Sequence, residues 1–225
     1  MQINTLRLRK LLGWAGMLLP LVVLALCLIF GYGFPDSISS TYYLSPTITP
    51  FMIILGASSV LLISYMGYDK QDDIICTLAG IFGLLICLFS CSTENLITHW
   101  VHVAIPTTVG TFQLPANISG ILHNISAFIF FGLLAYNSFF LFTKSSGEMT
   151  DKKKKRNIIY RVCGIGMMSS FIFIIPVSIF NLWGGVWIIE AIALIFFGIS
   201  WLTKSDIYPW LFCDTPYTDD SNANT

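Results

Sequence analysis

The sequence predicts an all-α, polytopic membrane protein with six transmembrane helices and both termini in the cytoplasm. Three observations carry that expectation. Apolar residues make up 55% of the 225 and charged residues only 11%, more hydrocarbon than one soluble core of this size can hide. The apolar residues also fall in runs near the roughly 20 residues that a bilayer core requires. Finally, all twelve Lys and Arg residues sit in alternate connections, the bias that orients a multi-pass chain. The twelve acidic side chains cancel the twelve basic ones. Membrane lipid is therefore the expected surrounding, and no feature points to nucleic acid.

Arg7, Arg9 and Lys10 precede the first apolar run, 11–30. It is longer than the apolar region of a signal peptide and shows no small-residue cleavage site, so it reads as a retained helix. Pro20 marks a candidate kink. The next stretch, GYGFPDSISSTYYLSPTIT over 31–49, holds no basic residue. Pro35, Asp36 and Ser37 form a helix-start signal there, and Tyr42 and Tyr43 suit a short helix in the aromatic belt of the interface.

Helices 2 and 3 are expected over about 50–66 and 74–91, joined by the polar string GYDKQDD. Asp72 and Asp73 stand where carboxylates cap free backbone N–H groups and meet the positive end of the macrodipole. Gly80 and Gly83 allow another helix to approach closely. The long connection 92–117 again lacks Lys and Arg, and it carries Glu94, His99 and His102. A helical turn would put the two imidazoles on one face.

Helix 4 is expected over 118–142, with His123 near its start. TKSSGEMTDKKKKRNIIYR follows and reads as a solvated basic loop whose KKKKR run acts as a topology determinant. Helices 5 and 6 are expected over about 162–181 and 184–203. A single domain therefore covers 1–203, and 204–225 forms a polar cytoplasmic tail, its end disordered by composition. The cysteines show no zinc or disulfide spacing, and no bridge is expected.

This topology puts the unusual polar residues on one side. His123 and Glu190 each lie five or six residues inside the outer end of a helix, roughly 8 to 9 Å below that surface. An ionisable group at such depth normally faces the bundle interior with a partner. One reading makes the two a hydrogen-bonded pair locking helix 4 to helix 6. Another makes them the wall of an outward-facing polar pocket with Ser37, Ser39, Ser40, Tyr42 and Asn124. A pocket of that kind suits a lipid or small amphiphilic ligand. Alternatively His99, His102 and His123 hold Zn²⁺ in a lipid hydrolase, where an open coordination position activates water. A third reading is a membrane scaffold or assembly subunit. No Gly-rich phosphate loop, HExxH or Gly-x-Ser-x-Gly occurs.

Several strings together resemble a family of uncharacterised six-helix bacterial integral membrane proteins: SISSTYY, GYDKQDD, GILHNISAFIFFGLLAYNSFFLFTK and IIEAIALIFFGISWLTK. The likeness runs from Ser37 to Lys204. It implies that Ser37, Ser39, Tyr42, Tyr43, Asp72, His123 and Glu190 belong to the family pattern, and that the protein lies in a bacterial inner membrane. More remotely, the Ser-rich motif and the intramembrane His are similar to the alkaline ceramidase and adiponectin-receptor-like membrane hydrolases. Those use seven helices and three His around zinc, so the helix count departs from them.

Overall fold

A computed structural model describes residues 2–92, 107–145, 150–180, 182 and 184–206. Its elements are α1 (Gln2–Ile29), a 3-10 turn (Ser39–Tyr43), α2 (Ser45–Ile63), α3 (Lys70–Leu88), a two-stranded hairpin of β1 (Thr108–Val109) and β2 (Leu114–Pro115), α4 (Ala116–Tyr136), α5 (Asp151–Ile179) and α6 (Gly185–Lys204). A π-helical turn, Asn137–Leu141, continues α4. Six of these helices are long and apolar enough to cross a membrane.

Each helix packs on the next in chain order, and α6 closes on α1, so the six form a ring. An even number of traverses returns the chain to the end where it began. There Arg9 Nη1 donates to the Lys204 carbonyl at 3.2 Å, which joins the start of α1 to the end of α6. We refer to this as the basic end and to the opposite one as the cavity end.

Small residues set the closest seams. A Cβ at Gly198 of α6 would lie 2.7 Å from the Gly13 carbonyl of α1, so only glycine permits that approach. Gly80 and Gly83 press on Ser59 of α2 in the same way. Along Ala116–Tyr136, before the π turn, α4 meets α5 more sparsely than any other neighbouring helices in the ring meet. This seam closes at the basic end, where Gly164 packs against Phe139 and the Ala135 carbonyl, and it loosens toward the cavity end.

Several helices run past the apolar segments expected to contain them. Helix α1 starts at Gln2 rather than 11, α2 at Ser45 rather than 50, and α3 at Lys70 rather than 74. The largest correction concerns α5, which begins at Asp151 instead of 162, so Lys152–Arg156 forms its first turns and not a loop. Hydropathy marks the stretch that lipid tolerates, whereas Lys and Arg propagate a helix well in water. The Thr150 side chain caps this start by accepting from the Lys153 N–H at 3.2 Å. Asp69, not Asp72 or Asp73, caps α3, accepting from the Asp72 N–H at 3.0 Å. Asp72 and Asp73 instead reach back to accept from the Tyr68 and Gly67 N–H groups at 2.8 and 2.6 Å. Pro20 lies inside an uninterrupted α1.

The basic end is filled. Trp201 is 1% exposed, and it meets Tyr65 and Phe142 edge-on at 5.0 and 5.1 Å between ring centres. Arg9 stacks over Tyr65 and Lys204 over Phe142, at 5.6 and 5.1 Å. Their cationic heads thus close an aromatic plug.

Candidate functional site

The site begins with SISS in the connection after α1. Ser40 N–H donates to Ser37 Oγ at 2.9 Å, and Ser37 N–H donates to Ser40 Oγ at 3.2 Å. This reciprocal pair satisfies local backbone groups that would otherwise face an apolar bundle. Thr41 and Thr47, both fully buried, tie the turn down further: Thr41 Oγ1 donates to the Ile38 carbonyl, and Thr47 Oγ1 to the Thr41 carbonyl. The Trp187 N–H donates to the Asp36 carbonyl at 2.9 Å, docking the connection on α6. Tightened in this way, the turn aims the Ile38 N–H and the Ser39 hydroxyl inward.

Both meet Glu190. Its Oε2 accepts the Ile38 N–H at 2.5 Å, and its Oε1 lies 3.5 Å from Ser39 Oγ. On the other side His123 Nε2 lies 3.1 Å from Ser39 Oγ, and Nδ1 lies 2.7 Å from the carbonyl of Phe89. Phe89 is the C-cap of α3, and carbonyls at a helix end have no intrahelical partner. His123 satisfies one of them.

The expected direct pairing of His123 with Glu190 is therefore corrected: Ser39 stands between them. A chain of hydrogen bonds runs from the Phe89 carbonyl through His123 and Ser39 to Glu190, linking α3, α4, the first connection and α6. The carbonyl only accepts, so Nδ1 carries a proton. Ser39 has one hydroxyl proton for two neighbours, which leaves two consistent arrangements. In one, Ser39 donates to a neutral imidazole and a protonated Glu190 donates to Ser39. In the other, an imidazolium donates to Ser39, and Ser39 donates to the Glu190 carboxylate. They differ by one proton passed along the chain.

This network forms the polar end of a cavity of about 430 Å³, within the range of small-molecule sites. Ser37, Ser39, Ser40, His123, Asn124 and Glu190 all line it, with Asp36, Cys91, Ser92 and Ser178. Tyr42 does not; it packs edge-on against Tyr43 at 5.2 Å. The Tyr43 hydroxyl donates to the Cys91 carbonyl at 2.6 Å. Burial pushes that phenol up to about 12, so it remains a donor at neutral pH. Deeper in the bundle the lining turns apolar and aromatic, with Phe51, Phe130, Phe131 and Phe171. Phe128 of α4 and Ile175 of α5 line the cavity yet are 60% and 63% exposed. The mouth therefore opens sideways, through the sparse α4–α5 seam.

Of the expected zinc ligands, His99 and His102 lie outside the described residues, as does Glu94. Among the described residues no three of His, Cys, Asp and Glu are gathered as a metal site requires, and both ring nitrogens of His123 are engaged. The set that is described does not fit zinc. Backbone groups contribute much of the network, the Phe89 carbonyl and Ile38 N–H above all, and no side-chain pattern announces them. The aromatic wall had a partial signal, since His123, Ala127 and Phe131 recur at the spacing of one helix face. No protein-family profile, curated protein or solved structure matches this chain.

Proposed function

We propose that this is an integral membrane protein that binds a lipid or small amphiphile in a pocket reached from the bilayer. One observation carries the reading: a single cavity grades from a hydrogen-bonded polar end, Glu190, Ser39 and His123, into an aromatic interior, and its mouth lies between two apolar helices. An amphiphile has the same gradient. The distribution of basic residues supports a cytoplasmic basic end, hence cytoplasmic termini and a pocket near the outer leaflet. The resemblance in sequence adds a bacterial inner membrane.

The test is extraction of bound lipid. Protein purified in mild detergent should release a co-purifying amphiphile on denaturation, quantified by mass spectrometry. Ala127→Phe, which fills the cavity from α4, should release far less while unfolding at a similar temperature. Equal recovery from both proteins would remove the pocket from the account.

A further inference from the structure

Among the described residues, acidic side chains line the polar end of the cavity and no Lys or Arg does. Glu190 and Asp36 both line it. The nearest basic residues in sequence are remote, because 11–69, 71–143 and 162–203 contain no Lys or Arg at all. These stretches include the described connections at the cavity end. All four ion pairs among the described residues, made by Lys144, Lys154 and Arg156, belong to the basic end. Glu190 is held by neutral donors alone, the Ile38 N–H and the Ser39 hydroxyl, and it remains partly exposed to the cavity. In both proton arrangements of the network the Glu190 charge is balanced only by a mobile proton, on its own carboxyl or on His123. A cation delivered by the ligand favours the carboxylate, which is otherwise costly at membrane depth.

The walls fit the same ligand. Phe128 and Phe131 line the cavity from α4 and pair with Phe171 of α5 at 6.1 and 4.9 Å between ring centres. Aromatic faces attract ammonium groups and accept alkyl chains equally well. From His123 to Phe131 the cavity follows α4 for about two turns, or ~12 Å. Such a length and volume suit one alkyl chain rather than two.

Resting on the amphiphile-binding reading above, we propose that the cavity selects a single-chain amphiphile with a cationic amine or ammonium head, and discriminates against phosphate and carboxylate heads. The head sits against Glu190 beneath the SISS turn, and the chain runs along Phe131 toward the α4–α5 mouth. A phosphate head in the same place would meet Glu190 and no Lys or Arg, the reverse of how phosphate is normally held.

The test compares four probes on the whole protein in nanodiscs, with empty discs subtracted: dodecyltrimethylammonium, dodecanol, dodecyl phosphate and tetramethylammonium. Dodecyltrimethylammonium should bind about tenfold or more tighter than dodecanol, with dodecyl phosphate weakest. Glu190→Gln keeps an acceptor for the Ile38 N–H and should bring the first two affinities together. Equal affinity for ammonium and alcohol in the wild type, or preference for phosphate, would overturn the cationic head and leave the pocket reading standing. Tetramethylammonium binding as tightly as its dodecyl analogue would overturn the single-chain amphiphile. Failure of all four probes would overturn both. The wild-type series needs no variant, so a misfolded mutant cannot mask the answer.

Discussion

The two ends of the bundle solve the same problem in opposite ways. Each must place polar groups among apolar helices. At the basic end the cations that cap the bundle meet partners: Lys144 reaches Asp69 and Asp72 at 2.8 and 3.5 Å, Arg156 reaches Asp206 at 2.8 Å, and Arg9 and Lys204 lie over aromatic rings. Trp201, Phe142 and Tyr160 fill the space between. At the cavity end Glu190 has only neutral donors, and a void of about 430 Å³ adjoins it. One end is sealed by its own side chains. The other is left open for a molecule from outside the chain.

The comparison breaks most readily in the packing. Trp201→Ala removes the centre of the sealed end and should cost about 3–5 kcal/mol. Phe131→Ala enlarges a space that already exists and forfeits fewer contacts, so about 1–2 kcal/mol is expected. Denaturant unfolding of both variants in detergent checks the order, and equal losses would mean that the cavity end is packed like the basic end.

Polar substitutions sharpen it. Asp72 is 6% exposed and accepts the Tyr68 N–H, so Asp72→Ala orphans a donor at about 1–3 kcal/mol. Glu190→Gln retains an acceptor and should cost less than ~1 kcal/mol. A smaller effect tests the bridge. His123→Ala and Glu190→Ala should couple by about 0.5–1 kcal/mol in a double-mutant cycle, and Ser39→Ala should abolish the coupling. Coupling that survives without Ser39 would restore a direct pair.

The smallest effect lies at the surface of the basic end. The hydrogen bond from Lys144 holds the Asp69 carboxyl below its ordinary 3.8, and Asp69 in turn raises the Lys144 ammonium above its ordinary 10.5. The lowered acid contributes stability that is present above 3.8 and lost as pH falls through its folded value. The raised base contributes stability present below 10.5 and lost as pH rises through its own. The pair is thus constant near neutrality, and Lys144→Gln should alter unfolding only at the acid and alkaline edges, by an amount that salt erodes.

Much of this was legible in the residues. A bilayer forces about 20 apolar residues per crossing, so the six helices stand out, and counting along helices 4 and 6 puts His123 and Glu190 at one depth. What escaped follows from the same physics. Hydropathy says nothing about where a charged helix begins in water, hence the eleven-residue error at Asp151. Composition does not reveal that the Phe89 carbonyl and Ile38 N–H would hold the two ionisable groups. Nor could spacing show that Ser39, one of the three serines in SISS, would be the residue between them.

Photo-crosslinking tests the central claim most directly. A dodecylamine carrying a terminal diazirine, added to the protein in nanodiscs and activated by light, should mark peptides around Phe128, Phe131, Phe171 and Ile175, and excess dodecyltrimethylammonium should protect them. Adducts spread evenly over exposed apolar positions such as Leu18, Leu21 and Ile172, without protection, would show that the cavity takes no amphiphile.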